Sequence, residues 1–407
     1  MIREHRLLRD LEILARCTDT PGNGVTRFSW SEADRRARAH IESKLRGIGL
    51  TPQTDGIGNI RARMPGIDSA KTVILGSHFD SVKNGGRYDG TYGVVAALEV
   101  LRSFHDDGFV PPCNVMFIAF VEEEGSNFGC TCLGSKAICG QACLDDLERL
   151  RAPDGRNALA VLRDFSLTPQ RLPEEQIDPA NIAAYLEVHI EQNAVLEKAG
   201  KSLGLVSAIC GMRLYEVCLS GRSDHAASPM QGRHDPMAGF THAASRMEAL
   251  CHEGALGEGL CCTIGSIACE PGVGIVIPER VRCTIDLRHV DVDVLEKAWA
   301  DIAALFAKTA QDRGLALETA LLSRSGGACM DARVTDALDR AARKLGVEPL
   351  SMVSGPAHDA ASMGAIVPAG MLFVPSVGGL SHCAEEHTEP GHLLLGARVL
   401  EETVRNL

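Results

Sequence analysis

Between residues 31 and 48 apolar positions return at helical spacing, opened by Trp30-Ser31 and closed by Gly47 and Gly49, which predicts an amphipathic helix. A strand is expected next at 59–63. Thr72-Val73-Ile74-Leu75 is a short unbroken apolar run ending at Gly76, the pattern of a strand covered on both faces in a mostly parallel sheet. His78 is then expected just past its end. Residues 90–105 read as a helix, Val115–Val121 as a second buried strand, and Ala184–Val188 as a third. In open α/β sheets ligand sites collect at the carboxyl ends of strands, where His78, Glu122–Glu124 and His189 all fall.

The texture changes from about residue 211. Leu214–Leu219 and Val281–Leu287 alternate with period 2, whereas 236–252 and 292–313 are helical patterns. Such alternation fits a sheet with helices on one face and solvent or a dimer partner on the other. A helix at 333–345, a strand at Met371–Val374 and a helix at 391–405 then return to the first texture, after Ser323-Arg324-Ser325-Gly326-Gly327, a plausible hinge. The expected architecture is therefore α/β: a mixed, mostly parallel sheet with flanking helices, formed by residues 1–210 and 326–407, carrying an inserted smaller α+β domain at 211–325. A chain of 407 residues also exceeds what one core ordinarily supports.

Composition removes several classes of function. A net charge of −12, without any run of Lys and Arg, argues against a nucleic-acid partner. No apolar run approaches the ~20 residues of a membrane helix, and Met1–Arg6 has neither a secretory nor a transit character. Fifteen scattered cysteines, with Cys261 and Cys262 adjacent, suit reduced thiols in a cytoplasm better than a disulfide framework. Cys130, Cys132, Cys139 and Cys143 lack the paired spacing of zinc knuckles and read as buried or idle thiols.

The chemistry lies in the polar residues at the strand ends. His78 and Asp80 stand two apart on an extended segment, so both share a face and the carboxylate can accept the imidazole's second N–H, as at metal-bound histidines. Asp89 follows the flexible Gly85-Gly86 pair, with a helix N-cap as its alternative role. Three successive carboxylates, Glu122–Glu124, at the end of a buried strand are costly unless something positive neutralises them, and a metal pair would do so. Spacing alone leaves open which is ligand and which is base. His189 and His382, the latter after Gly378-Gly379-Leu380-Ser381, complete a potential ligand set.

These residues resemble the two-metal aminoacylase and carboxypeptidase family, and within it the amidase branch of N-carbamoyl-L-amino-acid hydrolases, β-ureidopropionases and allantoate amidohydrolases. The resemblance runs through Gly24–Arg27, Asp55–Asn59, His78–Gly90, Glu123–Ser126, His189–Gln192, Pro271-Gly272, Asp286–Arg288, His358–Ala360 and Ser381-His382. It implies two divalent ions per chain (zinc, or manganese, cobalt or nickel), with Asp89 bridging and His78, Glu124, His189 and His382 as the other ligands. It further implies Glu123 as general base, His225 as oxyanion donor, Arg288, Gln192 and His358 as substrate contacts, and 211–325 as a lid that mediates homodimerisation, with Asp80 a catalytic residue beside His78.

Departures from the branch bear on specificity: Ile275 stands where an asparagine is usual, Asn193 replaces a glycine, Asn127 replaces an arginine, and the segment after His225 is one residue shorter. The expected substrate is a small carboxylate-bearing molecule with a linear amide or ureido bond, N-carbamoyl-L-amino acids first, then allantoate or an N-acyl amino acid. A non-catalytic dimeric binding protein of the same fold is the alternative of a different class.

Overall fold

The computed structural model describes all 407 residues, which form two compact units: Met1–Ile209 with Ala328–Leu407, and Cys210–Gly327. The first is built on a nine-stranded sheet. In chain order its strands are β1 (Gln53–Thr54), β2 (Ile60–Met64), β3 (Asp68–His78), β4 (Cys113–Phe120), β5 (Ile182–Ile190) and β6 (Gly204–Ile209), then, after β7 to β12 of the second unit, β13 (Ala328–Cys329), β14 (Leu350–Ser354) and β15 (Ala369–Val374). The order across the sheet is β1-β2-β4-β3-β5-β15-β6-β13, with β14 also on β6. The central four, β4, β3, β5 and β15, are mutually parallel. Their carboxyl ends therefore lie along one edge, and the chain segments leaving them are neighbours.

Both faces of this sheet are covered, which explains the unbroken apolar runs. Val73 and Leu75 of β3 pack with the helices Thr91–Asp107 and Pro390–Arg405 on one side, whereas Ile74 joins Ile118, Tyr185 and the helix Asp359–Gly364 on the other. β3 begins earlier and ends later than its apolar core predicts, so His78 is its last residue rather than lying beyond it. The predicted helix at 31–48 forms as Glu32–Arg46, with the Ser31 hydroxyl accepting the Asp34 N–H.

The second unit is a four-stranded antiparallel sheet, β7 (Gly211–Ser220), β9 (Cys261–Glu270), β11 (Arg280–His289) and β12 (Ala316–Ser325), in the order β12-β7-β11-β9. The short strands β8 (Asp224–His225) and β10 (Val276–Ile277) pair apart from it. Helices Pro236–His252 and Val292–Arg313 cover one face, where Val217, Leu219, Val281, Cys283, Ile285 and Leu287 are buried. The edge strands β9 and β12 escape sequence analysis because most of their residues are exposed and supply no clean alternation. No helix in the chain is long and apolar enough to cross a membrane.

Close approach of the helix Thr91–Asp107 to the sheet depends on Gly93, where a Cβ would stand 2.5 Å from Val188 O and 2.6 Å from Ser77 Cβ. Helix propensity alone favours Gly93→Ala by ~1 kcal/mol. The clash outweighs it, and the variant should lose roughly 1–3 kcal/mol of stability in a denaturant titration.

Candidate functional site

Because β3, β4, β5 and β15 end together, the segments after them converge at the carboxyl edge of the sheet. His78 closes β3, Glu122–Glu124 follow β4, His189 is the penultimate residue of β5, and the loop beyond β15 carries His382. Asp89 meets all three imidazoles: its Oδ1 lies 3.4 Å from His78 Nε2 and 3.2 Å from His189 Nε2, and its Oδ2 lies 3.1 Å from His382 Nε2. His382 Nε2 also lies 3.4 Å from Glu124 Oε2. Asp89 is thus shared by two donor triads, His78–Asp89–His189 and Asp89–Glu124–His382. The helix N-cap is Gly90, not Asp89, which leaves the carboxylate turned to the histidines. Gly90 has φ +58°, and a Cβ there would fall 2.3 Å from the His78 ring, so this approach requires glycine.

The three glutamates part company because Glu122 adopts a left-handed backbone, φ 55°, which breaks the strand alternation. Its carboxyl group turns away and accepts N–H bonds from Asn127 (2.7 Å, backbone and side chain) and Phe128 (3.2 Å). Asn127, where the family resemblance leads one to expect arginine, thus pins Glu122. Glu123 Oε2 instead faces His78 Nε2 at 3.6 Å. Of the seven non-glycine residues with positive φ, Glu122, Cys132, Gln192 and His382 belong to this edge, the clustering of backbone strain typical of functional sites.

Asp80 shares the face of His78, as its spacing implies, and serves a second segment as well. The acceptor within hydrogen-bond distance of His78 Nδ1 is the Asp80 carbonyl, at 3.2 Å, while the carboxylate stands at 3.6 Å. That carboxylate takes the backbone N–H groups of Glu123 and Glu124, both at 3.2 Å, and so locks the glutamate segment to β3. His189 Nδ1 lies 2.8 Å from the Ile190 carbonyl, which fixes the tautomer and leaves Nε2, 2.9 Å from Gly90 N, as its acceptor nitrogen. Gln192 does not point into open space: its Nε2 donates to Asp89 Oδ2 at 2.7 Å.

His358 is 1 % exposed, with Nε2 3.0 Å from Ser354 Oγ and its ring 4.6 Å from that of His189. Burial and the neighbouring His189 hold its pKa well below the usual histidine value, so it is a neutral group behind the site. In the second unit His225 is exposed, and its Nδ1 accepts the Ala227 N–H at 3.0 Å, which puts the ring proton on Nε2. The Ile275 carbonyl binds the next residue, accepting the Ala226 N–H. Arg288 pairs with Asp286 of the same strand through Nε (2.9 Å) and a second nitrogen (3.3 Å).

Two residues behind the site carry weight that no local pattern signals. Glu386, 2 % exposed, accepts the N–H groups of Tyr88 (2.8 Å) and Asp89 (3.1 Å) and the Ser381 hydroxyl (2.8 Å), while Ser381 is also 3.0 Å from Asp89 Oδ2. Gly86 makes room for it, since a Cβ there would overlap the Glu386 carboxyl group. Arg27, fully buried, donates to the carbonyls of Phe79 (2.5 Å), Leu14 (2.6 Å) and Cys17 (3.1 Å) and to the Thr91 hydroxyl (2.7 Å), tying the loop after β3 to the helix after Asp89.

The electrostatics call for positive charge. Burial pushes the Glu123 pKa up to about 8, despite His78, with Glu124, Asp80 and Asp89 adding repulsion. Burial and then Asp89 raise Glu124 well above the carboxylate range. Burial opposes a charged His78, but Glu123, Asp80 and Asp89 outweigh it and hold that imidazole well above its usual value. Glu124 Oε1 is buried without a hydrogen-bond partner. Cation–ligand bonds of ~2.0–2.2 Å in a tetrahedron separate neighbouring donor atoms by ~3.3–3.6 Å, close to the 3.1–3.4 Å between the Asp89, His and Glu124 atoms. Donor types, spacing and the orphaned oxygen fit a metal site, and a bound cation would reverse the carboxylate shifts.

A three-layer α/β unit with buried His and carboxylate clusters at the ends of parallel strands is the framework of a metallohydrolase. Residues 74–406 match the model of the peptidase family M20/M25/M40. The chain is 36% identical over 409 residues to an N-carbamoyl-L-amino acid amidohydrolase of Geobacillus stearothermophilus, covering 100% of this chain and 99% of that protein. It is 35% identical to the allantoate amidohydrolase of Bacillus subtilis, covering 98% and 96%. A crystal structure of an amidase of the hydantoinase/carbamoylase family from Burkholderia multivorans superposes with a TM-score of 0.89 at 31% identity, covering 99% of this chain and 97% of the other. The chain belongs to the M20/M25/M40 family, in its hydantoinase/carbamoylase amidase branch. It is an amidohydrolase acting on non-peptide C–N bonds.

Removing the Glu386 carboxylate strips two buried backbone donors of their acceptor, at ~1–3 kcal/mol each. Glu386→Ala should therefore lower stability by roughly 2 kcal/mol or more in urea titration, while the exposed neighbour variant Glu385→Ala stays within about 0.5 kcal/mol of the parent.

Proposed function

We propose that the protein is a dinuclear-metal amidohydrolase that cleaves the linear ureido bond of N-carbamoyl-L-amino acids to the amino acid, CO2 and NH3. The observation that carries this reading is the sharing of Asp89 between two donor triads, with Glu123 beside them. In it, His78, Asp89 and His189 hold one divalent cation and Asp89, Glu124 and His382 the other. Such a pair, when bound, supplies Lewis acidity and lowers the pKa of water held there. Mixed His and carboxylate donors accept zinc, manganese, cobalt or nickel.

The protein's own groups then do the proton work. Glu123, beside His78 and ionised once a cation offsets the surrounding negative charge, takes the proton of the attacking water and passes it to the leaving nitrogen. Asp80 holds the backbone of Glu123 and Glu124 rather than moving a proton itself. His225, whose proton sits on Nε2, serves as donor to the developing oxyanion. Arg288 receives the substrate carboxylate, exchanging part of its pairing with Asp286 for it. Gln192 and His358, placed against Asp89 and His189, border the substrate on the side of the donor triads.

The second unit acts as a lid and carries the homodimer interface in this proposal. Exposed Ile267 on β9 and Leu321 and Leu322 on β12 support such an interface. The similarity to an allantoate amidohydrolase supports allantoate as the second substrate to test.

Purified protein supplied with Zn2+ or Mn2+ should release ammonia from N-carbamoyl-L-amino acids faster than from allantoate. Ammonia from neither, with cleavage of an N-acyl amino acid instead, would reject the ureido reading. Glu123→Gln should lower kcat by ~10²–10⁴-fold while metal content, measured by elemental analysis, stays at the parent level of about two ions per chain. Chelation should remove metal and activity together, and readdition should restore both.

A further inference from the structure

Glu123 makes one side-chain contact that the metal arrangement does not require. Its Oε1 lies 3.3 Å from Cys132 Sγ, and this thiol is the one hydrogen-bond donor on the Glu123 carboxyl group. The chain builds this contact deliberately from its backbone. After the loop that follows the glutamates, the N–H groups of Cys132, Leu133 and Gly134 pair with the carbonyls of Glu123 (2.8 Å), Glu122 (3.0 Å) and Val121 (3.0 Å). That ladder brings residue 132 alongside residue 123. Gly134 permits it, because a Cβ there would lie 2.5 Å from Val121 O and 2.4 Å from Asn59 Oδ1.

Cys132 itself is held at φ 56°, ψ 32°, a left-handed conformation that a cysteine adopts only under constraint, and its side chain is 3 % exposed. A thiol sealed in this position has no access to solvent and faces carboxylates. Burial and the charges of Glu123 and Asp359 raise its pKa well above the ordinary thiol value, so it carries its proton and is a donor. Lys136 is the opposing charge and does not reverse this.

We propose that Cys132 is a positioning residue for the general base: its S–H bond anchors Glu123 Oε1 and thereby aims Oε2, 3.6 Å from His78 Nε2, at the reacting water. The inference rests on Glu123 being the base. An unanchored glutamate has free rotamers at its outer torsions, so only part of its population faces the water. The S–H donor is weaker than a hydroxyl, which makes serine a functional substitute and alanine or valine a loss.

The experiment compares Cys132→Ala, Cys132→Val, Cys132→Ser and Glu123→Gln in the metal-loaded full chain, measuring kcat, KM and metal content, with circular dichroism as a check of folding. The expected result is a kcat about tenfold lower in Cys132→Ala and Cys132→Val, recovery to within about threefold in Cys132→Ser, and unchanged KM and metal content throughout. The infrared S–H stretching band that disappears in Cys132→Ser should also shift in Glu123→Gln. Parent-like kcat in Cys132→Ala overturns the proposal, as do a Cys132→Ser variant no faster than Cys132→Ala, loss of kcat in step with loss of metal or fold, and an S–H band indifferent to Glu123→Gln. Parent-like turnover in Glu123→Gln removes the base assignment beneath it, a failure identified by that variant alone.

Discussion

Concentrated, buried negative charge is the constraint around which the first unit is arranged. Asp80, Asp89, Glu123 and Glu124 are brought together, buried, at one edge of a sheet whose faces are mostly apolar. Left alone such a cluster would repel itself and take up protons. The structure answers with imidazoles on both oxygens of Asp89, with backbone N–H groups on Asp80 and Glu386, and with a donor geometry suited to cations. Each answer fixes a neighbouring loop, so the charge cluster and the architecture around it are one problem.

Parallel strands make that concentration attainable. Three consecutive parallel neighbours, β4, β3 and β5, deliver Glu123, His78 and His189 to adjacent positions, and β15 brings the His382 loop beside β5. Strand ends are also where the backbone can leave regular conformation. The left-handed residues Glu122, Gln192 and His382 sit just beyond strands or in loops, redirecting side chains that strict alternation would misplace. A second ring of groups then supports the first: Asp80 beneath the glutamates, Glu386 and Ser381 beneath Asp89, the Ile190 carbonyl behind His189. Such supporting contacts orient donors and set their basicity.

The two units divide the chemistry in this reading. The first gathers the buried carboxylates and imidazoles that the proposal gives to metal and base. The second offers a donor imidazole and a guanidinium on an antiparallel sheet, with Ile275 in place of an amide next to the His225 segment.

Much of this was legible in the sequence for a physical reason. Strands covered on both faces must be continuously apolar, and helices packed on one face must repeat at 3.6 residues, so β3, β4, β5 and the helices Glu32–Arg46, Pro236–His252 and Val292–Arg313 announce themselves locally. Histidines and carboxylates at the ends of such strands point to one edge before any coordinates exist. What local pattern could not decide was how backbone torsions and distant loops apportion those groups. Glu122 turned from its neighbours because of one left-handed residue, Asp80 took two amides while still facing the His78 imidazole, Cys132 reached Glu123 only when its own loop folded back, and Glu386 became a partner of Asp89 only when a segment from the far end of the chain closed on it. Sequence determined which chemistry was available and at which edge. Tertiary structure decided which atom faces which, because hydrogen bonds between separate segments of the chain have no periodicity for a sequence to display.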